Sequence, residues 1–330
     1  MKIVCFGLVA WQKKQFRISL KNHSLRFVDG SLTDQNLTKA KTADILVVFV
    51  HSKLATSILE RLPSLKLIAT MSTGFDHIDT EYCKQQNIQV CNVPTYGAST
   101  VAEYTFALIL SLSRKLPSTI KTIQDKHAFN TDATLCGFDL EGKTLGIIGA
   151  GNIGTHVAKI AHGFDMKVLV YDLHRDKKLS KRLGFSYVSF NKLLQASDII
   201  TLHVPYVKTT HHLINRSAIN KIKKGVYLIN TSRGGIIDTR ALLNGLKSNK
   251  IACAALDVLE NECDLKKSSN FSDSCDKRII ATNKSIMKMD NVLITPHNAF
   301  NTKEALERIL DTTIENITTF MKGKGQNSVY

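Results

Sequence analysis

The chain has 330 residues, which is enough for roughly two domains of about 150 residues each. Apolar residues make up 43% and charged residues 22% of it, an ordinary globular composition that excludes bulk disorder. No stretch approaches the roughly 18 uninterrupted apolar residues of a membrane helix. The opening segment Met1–Trp11 has no small-x-small cleavage site, so we interpret it as a buried strand rather than a secretory signal.

The formal net charge is +16, from 44 Lys and Arg against 28 Asp and Glu. Such a charge fits nucleic-acid or anionic-membrane binding, or a solvated basic surface that attracts small anions. The lysines are scattered and no basic run reaches five, which favours the solvated surface and makes nucleic acid an unexpected partner. The seven cysteines include no C-x-x-C pair, which predicts no zinc ribbon, no disulfide framework and a reducing cytoplasmic location.

Five short apolar runs, separated by helix-like segments, fill the first hundred residues. They are rich in Ile, Val and Leu and bounded by Gly, Asn, Asp or Pro, as parallel strands buried on both faces should be. We predict strands at Lys2–Gly7, Leu25–Val28, Ile45–Phe49, Leu65–Thr70 and Ile88–Val93, and a helix at Ser52–Leu62. The first strand leads into Phe6-Gly7-Leu8 without further glycines, so this α/β domain has no dinucleotide-binding turn of its own.

A connecting helix is predicted where the first domain ends. Pro94 stops the fifth strand, since proline forces its predecessor towards extended geometry. Thr100 and Glu103 have the spacing of a capping box, and apolar residues then recur at helical intervals until Pro117 ends the segment. The apolar surface of this helix, Val101–Leu116, fits either a dimer contact or burial inside the monomer.

A second α/β run begins at Gly142 and contains six predicted strands with helices between them. Six parallel strands complete a doubly wound nucleotide-binding fold. The strands are predicted at Thr144–Gly149, Lys167–Asp172, Asp198–Val204, Val226–Thr231, Ile251–Val258 and Asn291–Thr295, and helices at Asn152–His162, Arg240–Ser248 and Lys303–Met321. The last helix lies beyond the sixth strand, so we expect it to return to the first domain, which is then discontinuous.

The segment Gly149–Gly154 has the pattern G-x-G-x-x-G between a predicted strand and a predicted helix, the context that a dinucleotide site requires. Gly149 permits the tight turn, Gly151 lets the backbone approach a pyrophosphate, and Gly154 lets the helix pack on the strand. The helix start at Asn152 and Ile153 supplies backbone amides to the phosphates. The alternative is a glycine-rich turn without a ligand.

Asp172 ends the next strand, 18 positions after Gly154. A carboxylate at this place binds the ribose hydroxyls and repels a 2′-phosphate, which favours NAD over NADP. His174 and Arg175 follow closely, and a nearby Arg is a feature of NADP sites, so the strength of this preference stays open.

Polar segments follow three successive strands, where open α/β sheets place ligands. One residue in each segment suits the chemistry of a 2-oxo acid. Arg233 can bind the carboxylate and carbonyl as a fork, and His297 can protonate the carbonyl oxygen while hydride arrives at the carbon. Glu262, hydrogen-bonded to the imidazole, would favour its charged form. Each residue alone also fits a structural role, and only their joint placement beside a dinucleotide turn favours catalysis.

Together these motifs resemble the D-isomer-specific 2-hydroxyacid dehydrogenases over essentially the whole chain. The matching pieces are Ser72–Asp79, Gly149–Gly154, His203–Pro205, Asn230–Gly235, Leu256–Glu262 and Pro296-His297. The resemblance implies two doubly wound Rossmann-like or flavodoxin-like domains, a catalytic one at residues 1–100 and 297–330 and an NAD-binding one at 101–296. It also implies an active site in the interdomain cleft, Arg233, Glu262 and His297 as the catalytic set, and a homodimer through the cofactor domain.

Within the family, the aromatic residues Tyr96 and Phe300 resemble those of the D-lactate dehydrogenase branch. In that branch both aromatic residues border the substrate pocket. The long stretch Cys263–Asp290 resembles the same branch. The implied reaction is the NAD-dependent interconversion of pyruvate and D-lactate. The alternatives are the same chemistry on glyoxylate, hydroxypyruvate or a branched 2-oxo acid, and, from another class, a corepressor-like interaction protein that senses NAD.

The resemblance also assigns several surrounding contacts. The backbone amides of Thr73 and Gly74 would meet the substrate carboxylate, with glycine allowing a close approach. His203 would form a wall of the nicotinamide site, since its neighbours suggest no orienting carboxylate, and Asp257 would lie near the nicotinamide carboxamide. The remaining predicted cofactor contacts are Val204, Pro205, Thr231, Ser232 and Arg233.

Overall fold

The computed structural model of the chain describes residues 1–126, 129–262 and 276–330. The chain divides into two compact units: unit 1 is Met1–Tyr96 with Thr302–Tyr330, and unit 2 is Gly97–Asn301. The sequence places the domain boundaries at 100/101 and 296/297, and the units divide four and five residues away from these points. The part of the chain that the structure describes contains no helix with the length and apolarity to span a membrane.

Unit 1 is built on a five-stranded parallel sheet with the order β2-β1-β3-β4-β5, the flavodoxin-like arrangement. Every residue of β3 and β4 is buried, as expected for strands with helices on both faces. The strands are β1 (Lys2–Phe6), β2 (Ser24–Val28), β3 (Ile45–Val48), β4 (Leu67–Thr70) and β5 (Gln89–Cys91), and the helices are α1 (Ala10–Ser19), α2 (Thr56–Leu59), α3 (Thr80–Gln85) and α12 (Lys303–Met321).

The predicted helix Ser52–Leu62 is wrong in length, because only the four residues of α2 are α-helical. Leu54 forms a parallel bridge with Ile78, and its amide donates to the His77 carbonyl at 2.8 Å. This extended pairing prevents the helix from starting before residue 56.

The last helix, α12, lies in unit 1, where it packs against β4. Its Asn316 side chain donates from Nδ2 to the Asn92 carbonyl at 2.8 Å, and Ser328 beyond it pairs with Cys91 in an antiparallel bridge. The two ends of the chain therefore belong to one compact unit.

Unit 2 is a seven-stranded parallel sheet with the order β12-β11-β10-β9-β6-β7-β8. This is the doubly wound order 3-2-1-4-5-6 with a seventh strand added. The strands are β6 (Thr144–Ile148), β7 (Lys167–Tyr171), β8 (Ser186–Tyr187), β9 (Ile199–Leu202), β10 (Val226–Asn230), β11 (Ile251–Leu256) and β12 (Val292–Ile294), and the helices are α4 (Ala98–Ser113), α5 (Leu116–Lys126), α6 (Asn152–His162), α7 (Lys177–Leu183), α8 (Phe190–Ala196), α9 (Arg216–Lys221), α10 (Thr239–Lys247) and α11 (Lys277–Ile286). The predicted class, two doubly wound α/β domains, is confirmed; the strand β8 is the one that the prediction lacks.

The predicted helix start at Thr100 is wrong. Gly97 is the N-cap of α4, and its carbonyl accepts from the Val101 amide at 2.9 Å, so Thr100 lies within the first turn. Pro117 does not end a helical segment but lies in the first turn of α5. Proline is favoured in a first turn because the N–H that it lacks would have no intrahelical partner there.

The order of the unit 2 sheet reverses between β6 and β9, and ligands of such sheets bind outside the carboxyl ends of the strands at this point. The His203 amide donates to the Ile148 carbonyl at 2.7 Å, which holds the end of β9 beside the end of β6. The glycine turn that follows β6 lies at this reversal.

Candidate active site

Three glycines shape the turn between β6 and α6, and glycine suits each of the three positions for a different structural reason. Gly149 has φ +99°, and a Cβ there would lie 2.7 Å from the His203 carbonyl oxygen. A Cβ on Gly154 would lie 1.9 Å from the Gly149 carbonyl oxygen, whereas a Cβ on Gly151 would meet nothing within 4 Å. The fold thus requires Gly149 and Gly154, while Gly151 leaves open space in front of the α6 amides. That space fits the pyrophosphate of NAD.

The Asp172 carboxylate is held beside this turn. Its Oδ2 accepts from the Ala150 amide at 2.6 Å, and its Oδ1 accepts from the His174 amide at 2.8 Å. These two contacts fix an acidic group at the end of β7, where the predicted ribose contact requires one.

Alanine at Gly154 and at Gly151 should have opposite consequences. Gly154→Ala forces a methyl group into the backbone and should lower the melting temperature by about 2–10 °C, the effect of an overpacking cost of about 1–3 kcal/mol. Gly151→Ala should leave melting unchanged and raise the NADH dissociation constant about tenfold, because its methyl group occupies the pyrophosphate space. Calorimetry and NADH fluorescence titration measure both. Equal melting losses in the two variants would contradict this assignment.

His203, at the end of β9, is a neutral side chain. Burial lowers its pKa to about 3, and its Nε2 lies 2.9 Å from the Thr201 hydroxyl. Its Nδ1 is buried and has no hydrogen-bond partner within the described residues. A ring that stays uncharged at neutral pH is suited to a wall of the site rather than to an acid, and an unpartnered buried nitrogen fits a position that a bound cofactor covers.

The other residues predicted around the cofactor all lie in unit 2. The Ser232 hydroxyl donates to the Val204 carbonyl at 2.6 Å, and the Thr231 and Thr105 hydroxyls are 3.1 Å apart. Pro205 follows Val204 directly, and Asn152 and Ile153 are the first two residues of α6. Their contacts with NAD stay predictions.

His297 and Glu262 form a close pair. The imidazole Nδ1 is 2.6 Å from the Glu262 Oε1. An ionised carboxylate only accepts, so Nδ1 carries the proton of this bond and Nε2 is the nitrogen available to a substrate. Burial alone would raise the pKa of the Glu262 carboxyl, but the hydrogen bond and charge of His297, with smaller contributions from the Leu259 amide and the Arg233 charge, hold that pKa below its usual range.

The charge of Arg233 contributes to the lowered pKa of the Glu262 carboxyl, which indicates that the guanidinium lies within electrostatic reach of the Glu262–His297 pair. That the three side chains form one catalytic set stays a prediction. The turn that carries Arg233 is shaped by Asn230, a fully buried residue for which sequence reasoning gave no role. Its Oδ1 accepts from the Ser232 amide at 3.0 Å, and its Nδ2 donates to the Arg233 carbonyl at 2.9 Å. Asn230 thereby holds the backbone from which the guanidinium extends.

Asp257 has a role that the sequence did not predict: it holds the loop that carries His297. The residue is only 1% exposed. Its Oδ1 accepts from the Thr295 hydroxyl at 2.6 Å and the Asn298 amide at 2.8 Å, and its Oδ2 accepts from the Ala299 amide at 2.9 Å. The predicted contact of Asp257 with the nicotinamide stays a prediction.

The His297 backbone has φ +53°, a conformation that non-glycine residues avoid at a cost of about 1–3 kcal/mol. Its amide donates to the Asp257 carbonyl at 2.8 Å, which adds a main-chain bond to those of the Asp257 carboxyl. Asp257 therefore holds the strained loop through both its backbone and its side chain, and thereby positions the imidazole.

The predicted substrate residues lie in both units. Phe300, in unit 2, packs edge-on against the His297 ring with 6.4 Å between the ring centroids. In unit 1, the Thr73 hydroxyl donates to the Val93 carbonyl at 2.7 Å, and the Tyr96 carbonyl accepts from the Arg308 Nε at 2.8 Å. Gly74 follows Thr73, and its carbonyl accepts from the Ser72 hydroxyl at 2.6 Å. Contacts of Thr73, Gly74 and Tyr96 with a substrate stay predictions.

Two further expectations concern parts of the chain around this site. The stretch compared with the lactate branch, Cys263–Asp290, lies outside the described residues from 263 to 275. Its remainder includes α11. Within residues 1–126, 129–262 and 276–330, no group of three or more His, Cys, Asp or Glu side chains is arranged to hold a metal ion.

Replacing Glu262 with Gln should move the pH profile of reduction. The carboxyl pKa is lowered, so the wild-type side chain stays charged until the pH falls below its ordinary range. In Glu262→Gln the imidazole loses the charged carboxylate to which its Nδ1 proton is bonded, so the alkaline limb of kcat/KM for 2-oxo acid reduction should move to lower pH. The exposed Glu141→Gln is the matched control. Superimposable profiles for wild type and Glu262→Gln would assign Glu262 a purely structural role.

Comparison with known proteins supports the same reading of the chain. The model for the NAD-binding domain of the D-isomer-specific 2-hydroxyacid dehydrogenases matches residues 106–299. A solved D-lactate dehydrogenase from Aquifex aeolicus, complexed with NAD and lactic acid, is 38% identical with a TM-score of 0.90, over 98% of this chain and 96% of that one.

Two curated relatives cover most of the chain. The D-lactate dehydrogenase of Escherichia coli is 33% identical over 332 residues, 98% of this chain and 98% of that protein. The glyoxylate reductase of Thermofilum pendens is 36% identical over 295 residues, 88% of this chain and 82% of that protein. The resemblance found in the sequence is thus confirmed. The chain belongs to the D-isomer-specific 2-hydroxyacid dehydrogenase family and is an NAD-dependent oxidoreductase.

Proposed function

We propose that the protein interconverts pyruvate and D-lactate with NAD. The observation that carries the proposal is the 2.6 Å bond from His297 Nδ1 to Glu262, which leaves Nε2 for a carbonyl oxygen. The charge of Arg233 contributes to the lowered pKa of the same carboxyl group. The proposal is supported by relatives named D-lactate dehydrogenase, one of them complexed with NAD and lactic acid. Glyoxylate is the second candidate, since another relative is named glyoxylate reductase.

In the proposed reaction, the bound cofactor would supply the hydride as NADH during reduction of the 2-oxo acid and would accept it in its oxidised form during the reverse reaction. Arg233 binds the substrate carboxylate with its guanidinium fork, which orients the neighbouring carbonyl. His297 Nε2 gives its proton to the carbonyl oxygen during reduction and takes it back during oxidation. Glu262 balances the positive charge of the protonated ring and keeps Nδ1 as the donor, so the ring is presented in one orientation.

The size of the substrate is proposed to depend on Phe300 and on the predicted contact Tyr96. The Phe300 ring packs edge-on against His297, so an apolar surface lies beside the acid. Such a surface suits the methyl group of pyruvate. Each added methylene changes recognition by about 1–3 kcal/mol, or roughly 10–200-fold, which a substrate panel resolves.

A panel of 2-oxo acids tests this proposal. NADH and NADPH oxidation would be followed with pyruvate, glyoxylate, hydroxypyruvate and a branched 2-oxo acid, and the product stereochemistry would be determined on a chiral column. We expect the highest kcat/KM with pyruvate and NADH, and D-lactate as the product. A higher value with glyoxylate would favour the second candidate. Salt-dependent retention on DNA with no turnover of any acid would favour the corepressor-like alternative.

We propose a homodimer, with α5 as its contact surface. No large apolar side chain of α4 is exposed, whereas Leu116, Ile120 and Ile123 of α5 are 46%, 52% and 43% exposed. Their spacing places them on one face, and exposed apolar patches mark association surfaces. Light scattering should give twice the monomer mass for wild type and the monomer mass for Ile120→Glu. A monomeric wild type, or a dimeric Ile120→Glu, would contradict this surface.

A reducing compartment such as the cytoplasm is the proposed location. The five cysteines of the described residues are free thiols: Cys5, Cys83, Cys91, Cys136 and Cys253. Burial raises the pKa of the Cys83 thiol to about 12, with a further contribution from the Asp79 charge, so this thiol resists ionisation and exchange.

A further inference from the structure

The two loops that carry Arg233 and Glu262 are in direct backbone contact. Gly234 leaves no room for a side chain, since a Cβ there would lie 2.0 Å from the Leu259 carbonyl carbon and 2.1 Å from the Glu260 nitrogen. A small shift of one loop therefore moves the other. The distance between the Arg233 guanidinium and the Glu262–His297 pair therefore depends on the groups that keep these two loops in a fixed relative position.

One residue outside the predicted site bonds to both loops. The His212 amide donates to the Gly235 carbonyl at 2.9 Å, two positions after Arg233. The His212 ring Nε2 donates to the Glu260 Oε1 at 2.8 Å, two positions before Glu262. The backbone of His212 has φ +49°, which persists for a non-glycine residue only where the surroundings hold it.

Glu260 is anchored from several directions. Its Oε2 accepts from the Thr239 hydroxyl at 2.6 Å, and its carbonyl accepts from the Asn283 Nδ2 at 2.7 Å. Its side chain is 10% exposed. Both carboxylate oxygens of Glu260 therefore accept hydrogen bonds from side chains of unit 2, one from Thr239 at the start of α10 and one from His212 in the segment after β9. This carboxylate is engaged in contacts inside the protein.

We propose that His212 and Glu260 form a positioning pair that fixes the Arg233 loop relative to the Glu262 loop. This inference rests on the proposed function, because it assigns the pair the task of holding the substrate anchor at the correct distance from the proton donor. A displacement of about 1 Å in a catalytic site can cost about a hundredfold in rate. Neither His212 nor Glu260 is itself a catalytic residue.

His212→Asn is the variant that isolates the pair. Asparagine tolerates the left-handed backbone of residue 212 and is too short to reach Glu260 as the imidazole does. We expect KM for the 2-oxo acid to rise about tenfold and kcat to fall about tenfold, with NADH affinity and melting temperature little changed. Glu260→Ala should have the same effect, and Glu260→Gln, which keeps an acceptor for His212, should restore most of the activity.

His211→Gln is the matched control. The His211 ring stacks on His212 with 3.8 Å between centroids, and its Nδ1 is 3.1 Å from the Tyr206 hydroxyl, but it has no bond to Glu260. Its kcat and KM should stay within about twofold of wild type. The double variant His212→Asn/Glu260→Ala should be no worse than either single variant, because partners in one interaction are not additive.

Three outcomes would overturn the proposal. They are an unchanged KM in His212→Asn, losses that multiply in the double variant, or an equal loss in His211→Gln. A purely structural role would lower kcat through the active fraction and leave KM unchanged. The assays use the 2-oxo acid that the wild-type protein reduces best. If that acid is glyoxylate, the pyruvate proposal is contradicted, but the same variants still test the positioning role of His212 and Glu260.

Discussion

Replacing His297 with Gln should lower kcat by about 10²–10⁴-fold, the usual contribution of a positioned general acid. The amide has no proton to give to the carbonyl oxygen at neutral pH, and it leaves Glu262 without an imidazole partner. NADH binding should be nearly intact, because the glycine turn and Asp172 form their contacts independently of residue 297. Steady-state kinetics with NADH fluorescence titration separate the two effects.

A second variant separates chemistry from backbone strain at residue 297. His297→Asn keeps a side chain that accepts the left-handed conformation, so the loop held by Asp257 should stay in place. We expect the loss of kcat to match that of His297→Gln. If either variant retained more than about a tenth of the wild-type kcat, the acid/base role of His297 would be rejected.

Replacing Arg233 should chiefly damage the handling of the 2-oxo acid. Arg233→Lys keeps the charge but loses the fork, and we expect kcat/KM to fall about a hundredfold; for Arg233→Gln, which loses both, about a thousandfold. These losses correspond to about 3–4 kcal/mol, the range for breaking a buried charged hydrogen bond. Arg240→Lys, at an exposed arginine in α10, is the control. An unchanged kcat/KM in Arg233→Lys would contradict the anchoring role.

The parallel strands were predictable because each is a local apolar run covered on both faces, as in β3 and β4. The strand β8 was not, since two residues of a sheet edge show no periodicity. The glycine turn was also predictable from the sequence, because the local backbone restricts which residues can occupy it. The backbone conformation of Gly149 and the clash at Gly154 restrict those positions to one residue type, and this restriction is visible in sequence.

The neighbourhood of the proposed catalytic residues was predictable because parallel strands bring their carboxyl ends to one edge of the sheet. The residues that position this set were not. Asp257 meets donors about forty positions away, and His212 meets a carboxylate 48 positions away, and no local pattern records such pairings. The short length of α2 was unpredictable for the same reason, because it results from the pairing of Leu54 with Ile78, a residue distant in sequence.

The most direct test of the account is a crystal structure of the protein with NADH and oxamate, an unreactive analogue of pyruvate. We predict that the Arg233 guanidinium binds the oxamate carboxylate through two hydrogen bonds and that His297 Nε2 lies within about 3.2 Å of the carbonyl oxygen. Oxamate bound away from Arg233, or an imidazole turned from its carbonyl, would contradict the claim that these side chains perform the reduction.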